Sequence, residues 1–157
     1  MKHGQTSSQL IGALTDHVGF WMRQVSNHVS QRFTAKVETF GVTVSEWVIL
    51  RVMFDSEVTS PSALASATGL TRGAVSKLVE RLRAKDLLTR VEALGDRRFQ
   101  DVSLTAVGRA LVPKLAALAD QNDEECFAEL DGGERERLVA TLKRLVEVNR
   151  LNKIPME

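Results

Sequence analysis

The chain has 157 residues, 43% of them hydrophobic, a net charge of +1 and one cysteine, Cys126. That length and apolar content fit one compact domain with its own core, and a lone cysteine excludes a disulfide framework within the chain. The first twenty residues hold no apolar core long enough for a secretory signal, and no run approaches a membrane span; a cytoplasmic location with no membrane partner is expected.

From about Ser8 to Thr39, apolar residues recur three and four apart at Ile11, Leu14, Val18, Trp21 and Val25. Met22, Val29, Phe33, Val37 and Phe40 add a second stripe. Two stripes predict one helix of some thirty residues buried over a wide face, too long for one small globule to cover, so part of it is expected to pack on another subunit. Gly41 marks its end. In "TVSEWVILRVMFD", Thr43 or Ser45 can cap a second helix whose apolar residues include Trp47, Ile49, Leu50, Met53 and Phe54.

Ser60 and Pro61 are a good cap and first residue for a third, short helix that Gly69 ends. Thr71 caps the fourth, with Val75, Leu78, Val79 and Leu82 facing inward. After Leu87 the period changes: "LLTRVEAL" and "FQDVSLT", joined through Gly95-Asp96, read as a β-hairpin. Thr105 starts a fifth helix to about Leu130, which Pro113 should bend. Asp131 and Glu134 have capping-box spacing for a sixth, with Leu138, Leu142, Leu145 and Val146 as its stripe.

The fold class that follows is mainly α with one small β-hairpin. Charge is distributed unevenly over it. Residues 71–98 carry eight Lys or Arg against four acids, and residues 120–136 carry eight acids against Arg135 alone. Ala65, Gly69 and Val75 have the spacing of a helix-turn-helix: a small residue at the crossing, a turn residue tolerant of positive φ, and a residue holding the second helix on the first. Any tight helical hairpin would show the same spacing. The outward residues of the second helix argue for more. Thr71, Arg72, Gly73, Ser76 and Lys77 lie on its first two turns, where a helix entering the major groove of duplex DNA presents its contacts. Arg72 can fork onto a guanine edge or a phosphate, Thr71 and Ser76 can hydrogen-bond, Gly73 permits close approach, and Lys77 suits a phosphate. A following hairpin makes this a winged helix, whose tip can reach the adjacent minor groove. Arg97 and Arg98 would sit at that tip, with Asp96 holding an arginine in direction through a charged hydrogen bond. Whether Arg97 meets a phosphate or only solvent is open.

These residues resemble the MarR family of dimeric winged-helix transcriptional regulators over nearly the full chain, through "SALASATGLTRGAVSKLVERLRAKDLLTR", "GDRRFQDVSLTAVGRAL" and the paired terminal helices. The family's wing motif, Asp, any residue, then Arg, followed by a strand ending Leu-Thr, is met by Asp96-Arg97-Arg98 and Leu104-Thr105, with Gly108 beyond. The resemblance implies that Arg98 enters the minor groove, that Asp96 orients the wing, and that the first, fifth and sixth helices form a homodimer interface. Residues 1–40 and 106–157 would then be the helical dimerisation region and residues 41–105 the DNA-binding region, intertwined in one domain. A pseudo-palindromic operator with recognition helices about 34 Å apart is expected.

Regulators of this kind often release DNA when a small aromatic or anionic ligand enters between dimer region and winged helix. His28 and Arg32 continue the Ile11–Val25 stripe, and unpaired polar groups there would be costly. With Trp21, Trp47 and Arg51 they could form a pocket for an aromatic carboxylate; alternatively His28 and Arg32 pair with acids across the dimer. Cys126 lies in an acidic stretch that should raise its pKa, unlike a redox-sensing thiol, and is expected to be inert or at an interface. His3, His17 and His28 are scattered, so no metal site and no cofactor are expected. Urate-type members of the family pair a Trp of the first helix with an acid on the third; Trp21 could play the first part, but the third helix here holds no acid, so the resemblance does not favour that ligand. No nucleophile with a paired base, phosphate loop or metal cluster points to an enzyme. The rival reading is a protein-interaction module on the same scaffold, docking through residues 120–136.

Overall fold

The computed structural model of the protein describes residues 11–91 and 101–156. Its helices are α1 (Val18–Glu38), α2 (Val44–Phe54), α3 (Pro61–Thr68), α4 (Arg72–Ala84), α5 (Ala106–Cys126) and α6 (Gly132–Val148), with strands β1 (Leu88–Val91) and β2 (Asp101–Leu104) between α4 and α5.

The N-terminal stripe does not form one helix. Leu14–Asp16 make a single 3-10 turn, His17 is extended at φ −102° and ψ 126°, and α1 begins at Val18. The Asp16 carboxylate accepts the Ala13 N–H at 2.8 Å, and a short acidic side chain that satisfies nearby backbone in this way competes with the helical ladder. The apolar period runs through the break, because period reports which side is apolar and not whether the backbone is continuous. Gly41 takes φ +73° in the turn to α2.

Thr43, not Ser45, caps α2. Its side chain accepts the Glu46 N–H at 3.2 Å while the Glu46 carboxylate accepts the Thr43 N–H at 2.9 Å. Glu46 is buried, and Lys85 just beyond α4 supplies its counter-charge at 2.6 Å while also donating to the Gly41 carbonyl at 2.8 Å. One carboxylate thus ties the start of α2 to the end of α4. Ser60 and Thr71 cap α3 and α4 through the N–H groups of Ala63 and Ala74. Gly69 between them takes φ +72° and donates to the Ala65 carbonyl. Beneath the turn, Leu64, Val75, Leu78, Val79 and Leu82 join Ile49, Leu50 and Met53 of α2 in the core. Each such side chain contributes roughly 2 kcal/mol by leaving water.

β1 and β2 pair antiparallel with Leu88 opposite Leu104 and Val91 opposite Asp101. Thr59, ahead of α3, exchanges both backbone hydrogen bonds with Val102 and fastens the hairpin to the helix-turn-helix. At the hairpin's end, the Thr105 N–H donates to the Leu87 carbonyl at 3.1 Å and its hydroxyl to the Asp86 carbonyl at 2.6 Å. Gly108, on the first turn of α5, is packed so tightly that a Cβ there would stand 2.2 Å from the Leu87 carbonyl oxygen.

α5 ends at Cys126, four residues before the predicted Leu130. Asp131 already caps α6, whose Glu134 completes a capping box, and Arg135 of α6 donates to the Phe127 carbonyl at 3.0 Å. Satisfying that carbonyl from α6 lets α5 stop and the chain reverse. The α6 stripe and much of the N-terminal stripe lack cover within one chain: Leu138, Leu142, Leu145 and Val146, with Leu14, Val18, Met22 and Val25, remain exposed.

Gly108→Ala would press a methyl group into the Leu87 carbonyl, and the backbone can relieve it only by separating α5 from β1. Overpacking of this kind costs about 3 kcal/mol. Urea unfolding should show that loss, whereas Gly133→Ala, which meets only the flexible Arg137 and Asp131 side chains, should lose much less.

Candidate nucleic-acid interface

The amphipathic sequence of α4 decides which groups it can present. Val75, Leu78, Val79 and Leu82 face the core, so Thr71, Arg72, Gly73, Ser76 and Lys77 are all left exposed on the opposite side. No atom lies within 4 Å of a Cβ built at Gly73, so the space beside that backbone is open to an approaching molecule. Glu80, one turn further on, binds Arg83 at 3.0 Å and Arg90 of β1. Arg83 chiefly, and Arg90 with it, hold the Glu80 carboxyl below the usual carboxylate range. These contacts tie the base of the wing to α4 and use up two of its neighbouring cations. Arg72, Lys77 and Arg81 make no ion pair among the described residues. Arg81 is exposed as well and lies one turn beyond Lys77 on the same helix. Asp96, Arg97 and Arg98 lie outside the described residues, between the ends of β1 and β2.

The five residues proposed for an effector pocket are not gathered in one place within the chain. His28 is exposed on α1. Trp21 is half-exposed and its indole N–H donates to the Thr15 carbonyl at 2.9 Å. Arg51 pairs with Asp55 on its own helix at 2.9 Å. Trp47 lines a cavity of about 220 Å³ between α1 and α2, with Ser30, Phe33, Val44, Val48 and Pro155. Phe33 meets Trp47 edge-on at 6.5 Å between ring centres. Phe33 was visible in the sequence as part of the second stripe of the first helix; Pro155 carried no signal at all.

Arg32 finds its acid on α5 of the same chain. It and Lys36 both grip Glu125, Lys36 at 2.7 Å, and Gln121 donates to the other carboxylate oxygen at 2.7 Å. Lys36 first, then Arg32 and Gln121, stabilise the charged form and pull the Glu125 carboxyl down to about 2. Nearby Asn122 is buried, with its amide donating to the Val29 carbonyl at 3.2 Å. Among the described residues no group of three His, Cys, Asp or Glu could hold a metal ion.

A cationic helix face, a hairpin behind it and long flanking helices are a combination shared with known proteins. The MarR family model matches residues 40–98. The transcriptional repressor NicR of Pseudomonas putida is 28% identical over 134 residues, 85% of this chain and 85% of its own. Among solved structures, BpsR of Bordetella bronchiseptica superposes with a TM-score of 0.74 at 27% identity, over 86% of this chain and 96% of that one. The chain is thus similar to the MarR family, through the family model over residues 40–98 and through relatives and solved folds over most of its length. The fold also matches a mutant MarR of Escherichia coli complexed with operator DNA, with a TM-score of 0.74 at 19% identity, over 86% of this chain and 99% of that one. The MarR family is one of transcriptional regulators, and the residues matched to its model run from the turn before α2 through α4 and β1. No helix of the described residues is long and apolar enough to cross a membrane.

Because the Glu125 carboxyl is depressed in the folded chain, its contribution to stability is present above the ordinary carboxylate pKa near 4.5 and is lost as pH falls toward about 2. Replacing Glu125 by Gln should flatten the acid side of the stability profile over that window and leave the profile near pH 7 parallel to wild type, as followed by urea unfolding at a series of pH values.

Proposed function

We propose that the protein is a homodimeric, sequence-specific double-stranded DNA-binding regulator, a repressor released by a small ligand, acting without catalysis in the cytoplasm. The observation that carries this reading is the outward face of α4, where Arg72, Lys77 and Arg81 lack acid partners among the described residues while the opposite face is fully built into the core. A helix held this rigidly can enter a major groove with little ordering cost. Thr71, Arg72, Gly73 and Ser76 would meet base edges and the nearest phosphates, and Lys77 a phosphate. Asp96 and Arg98 would place the wing tip in the neighbouring minor groove, with Arg97 beside them.

The uncovered apolar stripes of α6 and of the N-terminal segment support association with a second copy, since contiguous exposed apolar surface marks an interface. Residues 1–40 and 106–157 would supply it, and the twofold axis would present two α4 helices to a pseudo-palindromic site. The cavity beside Trp47 supports the ligand part of the reading. Its lining is largely aromatic and aliphatic, which suits a flat, small aromatic molecule. In the solved relative BpsR, DNA binding is regulated by 6-hydroxynicotinic acid, a molecule of that type. His28, Arg32 and Arg51 would take part only if dimer formation or DNA release brings them toward Trp47 and Trp21.

Arg72→Ala and Arg98→Ala should each weaken binding to duplex from the protein's own promoter and reduce the slope of log affinity against log salt by about 0.9 per occupied half-site. Fluorescence anisotropy over a salt series measures this, and salt-independent or absent binding by the wild type would favour the protein-interaction reading. For the cavity, 6-hydroxynicotinic acid should raise the melting temperature of wild type and of Arg51→Ala but not of Trp47→Ala. An equal rise in all three would place the ligand elsewhere.

A further inference from the structure

The segment that follows α6 has no regular structure, yet it is anchored to the helix-turn-helix. The Ile154 N–H donates to the Thr68 carbonyl at 3.2 Å, where α3 ends. The Ser45 hydroxyl donates to the Met156 carbonyl at 3.2 Å. Met156 packs on the core and shares a surface depression with Leu70, Ala74, Ser76, Lys77 and Arg81. Between α6 and these anchors, Lys153 lies across the turn: a Cβ built on Gly69 would stand 2.9 Å from the Lys153 Cγ.

Gly69 is two residues before Thr71, the cap of α4. A cation from the far end of the sequence is therefore set beside the end of α4 that carries Arg72. Its Cα and the start of its stem lie against Gly69, closer than any side chain there would allow, and a lysine stem can follow such a surface with its ammonium in water. Lys153 is exposed and makes no ion pair among the described residues. Nothing described in the chain neutralises it, on a surface already made positive by Arg72, Lys77 and Arg81.

We propose that Lys153 is a phosphate contact in the DNA complex, delivered to the helix-turn-helix by the anchored segment 153–156. This rests on the reading of α4 as the DNA-binding helix. The turn ahead of a recognition helix runs close to the sugar-phosphate backbone at the groove edge, and an unpaired ammonium there releases a counterion when it meets a phosphate. The contact carries no base information, so it adds affinity equally to all sequences.

Lys153→Met keeps the aliphatic stem on Gly69 and removes only the charge. It should lower the salt slope by about 0.9 per occupied half-site, so that the advantage of wild type over variant shrinks about threefold at each half-site between 50 and 200 mM salt. Lys153→Arg should keep both slope and affinity, and Lys153→Gln, the second neutral variant, should behave as Lys153→Met does. Affinity and slope unchanged in both neutral variants, while Arg72→Ala lowers both, would overturn the role of Lys153 and leave the α4 reading intact. A lowered slope in the Lys153 variants with Arg72→Ala unchanged would support Lys153 and count against Arg72. Absence of duplex binding by wild type would overturn both.

Discussion

The contact of Gly108 with the Leu87 carbonyl governs how the two halves of this molecule meet. Leu87 lies between the end of α4 and β1, and Gly108 lies on the first turn of α5, so a helix and a strand-forming backbone approach closer than any side chain would allow. Thr105 reinforces the approach with two hydrogen bonds to the same stretch of backbone. The direction of α5, which with α1 is one of the two longest helices, is set at this point. A shift of α5 therefore cannot remain local. It must move the base of the wing and the end of α4, or break the contact.

Two carboxylates hold α4 from its other sides. Glu46 connects its C-terminal end to the start of α2, and Glu80 connects its middle to β1. Glu46 is buried and its Oε2 accepts from both the Thr43 N–H and Lys85, so it acts as an internal strut whose loss would leave the Thr43 N–H without its acceptor. Glu80 is exposed, and exposed pairs add little to stability. Its effect is on charge and direction. By engaging Arg83 and Arg90 it leaves Arg72, Lys77 and Arg81 as the α4 cations without an ion pair among the described residues. Packing decides where α4 is, and these pairs decide what it shows.

Local chemistry was readable wherever it acts through neighbours in sequence. The caps at Thr43, Ser60, Thr71, Thr105 and Asp131, the positive φ of Gly69 and the inward residues of α4 all depend on groups within a few positions of one another. The break at His17 was missed because an apolar stripe persists across a change in backbone direction. The end of α5 was placed too late because the group that satisfies Phe127 comes from α6. The five effector residues were chosen by sharing a stripe or a residue type, and a stripe records facing, not enclosure. The cavity that Trp47 does line is completed by Ser30, Phe33 and Pro155, from segments more than a hundred residues apart.

The sequence by itself determined the order of the six helices and the hairpin and which side of α4 is apolar, though not where the first and fifth helices begin or end, because capping and periodicity are properties of short stretches of chain. The tertiary structure alone decided which cations stay unpaired, since Glu46, Glu80 and Glu125 each draw partners from other elements, across 10 to 93 positions of sequence. It alone brought Lys153 onto the turn before α4. No periodic signal reports such a contact, because it forms only when α6 has folded back and the aliphatic part of a lysine finds a glycine with room beside it.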